Sequence, residues 1–269
     1  MRYLLSCALA LCLFAACNDA TDPQAPKGVD TMLPENSSER ATVSAAALAV
    51  QPIEHATAVL TYGDKTIHLD PTGGAAAFAD FPFPDLILIT DIHGDHFDPE
   101  TLAVLDTDDN ELIAPQAVAD KLPEAWKSRT TVLANGESVE KMGLTIEAVP
   151  MYNLRTEALK FHPKGRGNGY VITAGDQRYY FSGDTEDTPE LRALEDIDVA
   201  YVCMNLPYTM PVDAAASGVL EMAPKKVIPY HYRGTEGLSD TERFKELVNQ
   251  GNPDIEVDLV DWYPADAGE

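Results

Sequence analysis

The sequence predicts an α/β fold, two mixed sheets packed together with helices outside, and three kinds of signal carry that expectation. Runs such as Leu86–Ile89, Asp198–Met204 and Lys226–Tyr230 are almost continuously apolar, as strands covered on both faces are. Gly63-Asp64 and Gly175-Asp176 separate short strand-like runs, which marks antiparallel hairpins. Asp98-Pro99-Glu100 and Thr188-Pro189-Glu190 each set a capping residue before a proline, a helix-start signature. With 269 residues, 45% of them hydrophobic, the chain suits one large α/β domain with a single sizeable core.

In chain order, residues 1–16 read as a signal peptide. Met1-Arg2 is its positive start, and Tyr3–Ala16 is an apolar stretch shorter than the roughly 20 residues a spanning helix needs. Leu13-Phe14-Ala15-Ala16-Cys17 resembles the lipobox of bacterial lipoproteins, with Phe14 where an aliphatic residue is usual. Cys17 is therefore the expected lipidation site, and the expected location is the periplasmic face of the cell envelope, or outside the cell without the lipid. Residues 17–40, rich in Pro, Asp, Ser, Asn and Glu, read as a flexible tether. The domain is expected over 41–269, with Ala41–Val50 as a short Ala-rich helix or more tether.

Within the body, His55–Tyr62 and Lys65–Leu69 pair across Gly63-Asp64, and Leu86–Ile89 is a buried strand followed by the helix at Pro99. Leu144–Val149 reads as a strand, and Tyr170–Thr173 with Arg178–Phe181 as a hairpin. Strands at Asp198–Met204 and Lys226–Tyr230 follow, with helical segments near Ala214–Met222 and Thr241–Asn249. No repeat of fixed period occurs, although both halves share a strand-loop-helix rhythm.

Charge limits the partners. The net charge of -25 leaves no basic face for condensing on phosphates, which argues against nucleic acid. Cys203, in the apolar run Val199–Cys203, reads as a buried structural cysteine rather than a nucleophile, and no G-x-S-x-G is present.

The chemistry-bearing segment is Asp91-Ile92-His93-Gly94-Asp95-His96. Asp91 and His93 lie two apart where a strand runs out, so their side chains can point the same way. Gly94 permits a sharp turn that brings Asp95 and His96 back to the same space. Two further strand ends match in type: Gly183-Asp184 after Phe181, and His231 after Tyr230. Ligands converging from separated strand ends are what a metal centre needs.

These motifs resemble the metallo-β-lactamase superfamily, whose signature is His-x-His-x-Asp-His, then a Gly-Asp strand end and a final His. Glu54-His55-Ala56-Thr57, Leu69-Asp70-Pro71, Gly183-Asp184-Thr185 and Pro229-Tyr230-His231-Tyr232 are similar to the branch containing L-ascorbate phosphate lactonase and N-acylphosphatidylethanolamine phospholipase D. The resemblance implies the four-layer αβ/βα sandwich. It also implies two divalent metal ions, zinc in the first place, with His93 on the first metal, Asp95, His96 and His231 on the second, and Asp184 bridging. His55 and Asp70 are implied to lie behind the ligands.

The first site departs from the signature. Asp91 stands where the first histidine belongs, and no histidine occurs at Val149–Asn153. His162 or Asn153 is left to complete that site, and its oxygen-rich character admits manganese or a single-metal centre. Lys164 and Arg166, in the glycine-rich loop Lys164–Gly169, are candidates with Asn153 for receiving an anionic substrate group. His68 reads as structural or exposed. The expected activity is hydrolysis of a lactone or carboxylic ester by activated water, with Asp95 accepting the proton. A phospholipase D-like phosphodiesterase acting on a lipid is the second reading, and a non-catalytic metal-binding lipoprotein the third. No protein partner is expected.

Overall fold

The structure, a computed structural model, describes residues 47–263. The expected signal segment, Cys17, the tether and residues 41–46 of the Ala-rich run lie outside the described residues.

Two sheets are built on one plan. In the first, β1 (Ala49–Glu54), β2 (Thr57–Tyr62) and β3 (Lys65–Leu69) make an antiparallel meander. Beside β3, β4 (Leu86–Leu88), β5 (Glu111–Ala114) and β6 (Thr130–Val132) run parallel to it. The second sheet opens with the meander β7 (Ser138–Lys141), β8 (Leu144–Met151), β9 (Gly167–Ala174) and β10 (Gln177–Phe181). Parallel strands β11 (Val199–Cys203) and β12 (Lys226–Tyr230) continue it. Beyond them lie the small hairpin β13 (Arg233–Gly234) with β14 (Gly237–Leu238), and the edge strand β15 (Glu256–Val257). Helices α1 (Gly74–Ala77), α2 (Pro99–Leu105), α3 (Gln116–Ala119) and α4 (Glu124–Lys127) belong to the first half. The second half has α5 (Pro189–Arg192), α6 (Val212–Met222) and α7 (Thr241–Gly251).

The period of two along each strand explains the layering. Leu86, Leu88 and Ile113 join a buried cluster that includes Ile146, Tyr170 and Ile172 of the other sheet. Their neighbours Ile87, Ile89, Leu112 and Ala114 face the opposite way and pack with Leu102, Val118 and Trp126 of α2, α3 and α4. Ile87 and Leu112 are fully buried, and each such side chain contributes roughly 1.5–3 kcal/mol. The second sheet is covered by α6 and α7 through Ala215, Val219, Phe244 and Val248. The expected helix starts form as read: Asp98 accepts from the Glu100 amide, and Thr188 from the Leu191 amide.

Two expectations are corrected. Ala49 and Val50 belong to β1 rather than to a helix, because they pair with Thr61 and Leu60 of β2 and gain ladder hydrogen bonds. His55 does not begin a strand. It sits in the turn between β1 and β2 with a left-handed φ of 50°, which aims its ring away from the ladder.

His68 is buried on β3, stacked on Phe78 at 4.6 Å, and neither ring nitrogen makes a hydrogen bond. Burial pushes its pKa down to about 4, against a smaller opposing pull from the Pro82 carbonyl. Below pH 6.5 the unfolded chain takes up a proton here that the folded chain refuses until about pH 4. Stability is therefore lost as pH falls through that window, by up to about 3 kcal/mol from this residue. His68→Leu is expected to lack this loss. Urea unfolding at pH 7.5 and 5 should show the stability gap between variant and wild type shifting in favour of the variant at pH 5.

Candidate metal centre

The parallel strands deliver the site. The loop Asp91–His96 follows β4, Asp184 follows β10, Asn205 follows β11 and His231 follows β12. The two sheets are tied together at this end: the Asn168 amide donates to the Thr90 carbonyl at 3.0 Å, and the Tyr170 hydroxyl to the Ile89 carbonyl at 2.8 Å. Gly183 takes a φ of 59°, and a Cβ there would run into the Met151 thioether, so glycine is required to turn Asp184 inward. Asp70, His55 and His231 adopt left-handed backbone although none is glycine. Such conformations cost of order 1–3 kcal/mol and persist where the surroundings over-determine them.

Two groups of three converge. Asp91, His93 and His162 form one, Asp95, His96 and His231 the other, each with its candidate ligand atoms within 4.8 Å of one another. Asp184 lies between them. Its Oδ2 is 3.1 Å from His162 Nε2 and 3.5 Å from His96 Nε2, and its Oδ1 is 3.1 Å from His231 Nε2. Asp95 Oδ2 is 3.3 Å from His231 Nε2.

Each imidazole is set from behind. His96 Nδ1 lies 2.8 Å from Asp70 Oδ2, and Asp70 is fixed in turn by the Thr90 amide at 2.7 Å and the Thr90 hydroxyl at 2.6 Å. A proton on Nδ1 leaves Nε2 as a lone pair aimed at the cluster, the usual outer partner of a metal-ligating histidine. His162 is arranged the same way, with Nδ1 3.1 Å from the Tyr208 carbonyl. His231 Nδ1 meets His55 Nδ1 at 3.3 Å, and His55 meets the Tyr263 hydroxyl at 3.2 Å. His55 thus stands behind His231 and also lines the cavity.

The electrostatics favour positive charge here. Burial alone would raise the Asp184 carboxyl, but His231, His96 and His162 hold it well below the ordinary carboxylate range. Asp95 is also lowered, its burial outweighed by His96 and His231. Burial would lower His231, yet the Asp184 and Asp95 carboxylates push it up to about 9. His96 is raised well above its usual value by Asp184, Asp70 and Asp95, against burial. Even so, His96 Nε2 and Asp184 Oδ1 are buried without a hydrogen bond. Two orphaned ligand atoms in a pocket of imidazole and carboxylate fit a divalent cation.

Three candidates for substrate contact have other partners. Lys164 pairs with Glu190 at 2.7 Å and donates to the Tyr152 hydroxyl at 3.2 Å. Arg166 forks onto Asp91, with Nε at 3.0 Å from Oδ1 and Nη2 at 2.7 Å from Oδ2. Asn153 is buried behind His162, its amide donating to the Tyr208 and Ala158 carbonyls at 2.7 and 2.9 Å. None of the three lines the cavity of about 430 Å³ in front of the clusters. That cavity is instead walled by Phe161, Asn205, Tyr208, Arg233 and Thr235, with Asp95, Asp184 and His93 at its base. These wall residues escaped the sequence reading. Asn205 ends an apolar run in the same manner as Asp184 and His231 and was findable by that signal; Tyr208 and Thr235 carry no local mark. Cys203 is buried, and burial pushes its thiol up to about 12, so it offers no nucleophile.

Likeness to known proteins agrees with this geometry. The beta-lactamase superfamily domain matches residues 49–231. A UPF0173 metal-dependent hydrolase of Pyrococcus horikoshii is 32% identical over 197 residues, covering 69% of this chain and 86% of that protein. A structure assigned as a metal-dependent hydrolase of Parabacteroides distasonis has a TM-score of 0.71 at 36% identity, covering 79% of this chain and 92% of that one. A metallo hydrolase of Ignicoccus hospitalis shares the fold, with a TM-score of 0.67 at 19% identity over 80% of this chain and 95% of its own. Sheet plan, strand-end ligands and these likenesses converge: the chain belongs to the β-lactamase superfamily, as a metal-dependent hydrolase.

Proposed function

We propose that the protein hydrolyses a small carboxylic ester or lactone, using two divalent cations held by the two clusters. The observation that carries this reading is Asp184, set between two imidazole-bearing groups at the base of an open cavity. Two nitrogens and two carboxylates around the Asp95 group suit zinc, while the Asp91 group also tolerates manganese. A cation bound there supplies Lewis acidity, lowering the pKa of a coordinated water towards about 7 and polarising the attacked carbonyl.

The chain's own groups do the rest. Asp95 has a side chain 43% exposed, the most open carboxylate of the site, and accepts the proton of the attacking water. Asn205 offers a neutral donor to the substrate, the Thr235 hydroxyl donates to the Tyr208 hydroxyl at 3.1 Å, and Phe161 packs edge-on against Tyr208 to give the substrate's apolar part a wall. An acyl substrate is favoured over a phosphodiester by the charge of that wall. Arg233 is the one Lys or Arg on it among the described residues, and it already pairs with Glu54 at 3.0 Å. A permanently anionic diester would enter beside Asp95 and Asp184 with little to compensate it.

A panel of lactones, carboxylic esters and phosphodiesters tests the substrate class, with turnover expected only on the acyl substrates. Phosphodiester turnover alone would contradict it. Asp184→Ala and His231→Ala are each expected to lower bound metal and to reduce kcat/KM by ~100-fold or more. Unchanged metal content in both would refute the site assignment. Because His231 must release its proton to become a ligand, metal affinity should rise as pH rises towards about 9. Competition titrations at pH 6 and 8 check this, and an affinity that is flat or falls would contradict it.

A further inference from the structure

The two clusters differ in a way that ligand types alone do not reveal. In the Asp91 group the protein already occupies the donor atoms. Both Asp91 oxygens accept from Arg166, and Oδ2 also lies 2.9 Å from His93 Nδ1. His93 Nε2 is 3.4 Å from Arg166 Nη2, and His162 Nε2 is 3.3 Å from His93 Nδ1. In the Asp95 group His231 Nε2 likewise lies 3.1 Å from Asp184 Oδ1 and 3.3 Å from Asp95 Oδ2, but His96 Nε2 makes no hydrogen bond, and among the described residues no Lys or Arg pairs with either carboxylate.

Charge divides them further. Asp91 and Arg166 cancel, so the first group draws a net negative charge only from the shared Asp184. The second has Asp95 and Asp184 in full, with Asp70 behind His96. The guanidinium is not a swinging arm. Gly165 takes a φ of 85° in the turn that folds Arg166 back, and Arg166 Nη2 also donates to the Phe161 carbonyl. Two residues on, the Asn168 amide is pinned to the Thr90 carbonyl, immediately before Asp91. A planar fork held at both ends keeps its bidentate pair with little entropy left to lose.

We infer that Arg166 acts as a built-in cation that makes the two metal sites unequal: the Asp95–His96–His231 group with Asp184 holds its ion tightly, and the Asp91–His93–His162 group takes a second ion far more weakly. This rests on the reading above that the clusters bind divalent cations. A fixed positive charge beside a cation site opposes the second ion directly, since charges within one protein site interact by several times RT. Asp91, which stands where the resembled signature has a histidine, is then matched by its counter-charge. The pair preserves the buried geometry of the loop while withdrawing one ligand from the metal.

The test is a metal titration of the full chain, read by metal content and by competition with a chromophoric chelator, with zinc and then manganese as probe. Wild type is expected to retain about one equivalent after exhaustive dialysis and to bind a second at least ~10-fold more weakly. In Arg166→Gln the weak step should tighten by at least ~10-fold, with the tight step unchanged. Two equal affinities in wild type would overturn the inference. So would a weaker second step in Arg166→Gln, which would mean that Arg166 orients Asp91 for the metal. If that variant fails to fold, Asp91→Asn decides with the wild-type titration: it should keep the tight ion, and losing it would overturn the ranking. Wild type that binds no metal at all refutes the metal-site reading beneath, and this inference with it.

Discussion

Around Asp184 the protein has assembled more buried charge than a folded core ordinarily tolerates. Its side chain is almost wholly removed from water, and three imidazole nitrogens stand 3.1 to 3.5 Å from it. A carboxylate so placed is tolerable only when positive charge and hydrogen bonds replace its hydration. The surrounding strands are arranged to provide them. β10 brings the carboxylate itself, β12 brings His231, and the loop after β4 brings His96 across the interface between sheets. Remove that requirement and several costly features lose their reason: the left-handed His55, Asp70 and His231, and the left-handed Gly183, where a Cβ would meet the Met151 thioether.

The outer partners decide which atom of each ring faces inward. Asp70 does this for His96, the Tyr208 carbonyl for His162, and His55 for His231. Because Thr90 holds Asp70 through both its amide and hydroxyl, the orientation of His96 is inherited from the backbone between β4 and the ligand loop. The site is therefore preorganised by hydrogen bonds of the fold rather than by the cation alone. Where the loop departs from this plan, at Asp91, a guanidinium takes up the charge, and the chemistry becomes unequal across Asp184.

Much of this was legible in the sequence because it is written locally. Apolar runs that end in Asp or His mark β4, β10 and β12, and an Asp or Thr before Pro marks α2 and α5, so those elements and Asp91–His96, Asp184 and His231 were within reach. Residues 106–143 were not, since β5 to β7 and α3 and α4 span three or four residues each and tertiary packing decides them. Side-chain partners across the chain were invisible for the same reason. Arg166 looked free to bind an anion, yet it meets Asp91, 75 residues away in sequence. Asn153 looked like a substrate contact or an oxygen ligand; its amide nitrogen is claimed by the Ala158 carbonyl and by the Tyr208 carbonyl, far off in sequence, while its Oδ1 is buried without a partner among the described residues. Arg233, two residues beyond His231, reaches the cavity wall only because β13 turns there.

Anomalous diffraction from crystals grown with zinc, collected on both sides of its absorption edge, tests the account most directly. The expected result is a strong peak bounded by Asp95, His96, Asp184 and His231. A map with no peak among those four residues, or with its principal peak among Asp91, His93 and His162, would contradict it.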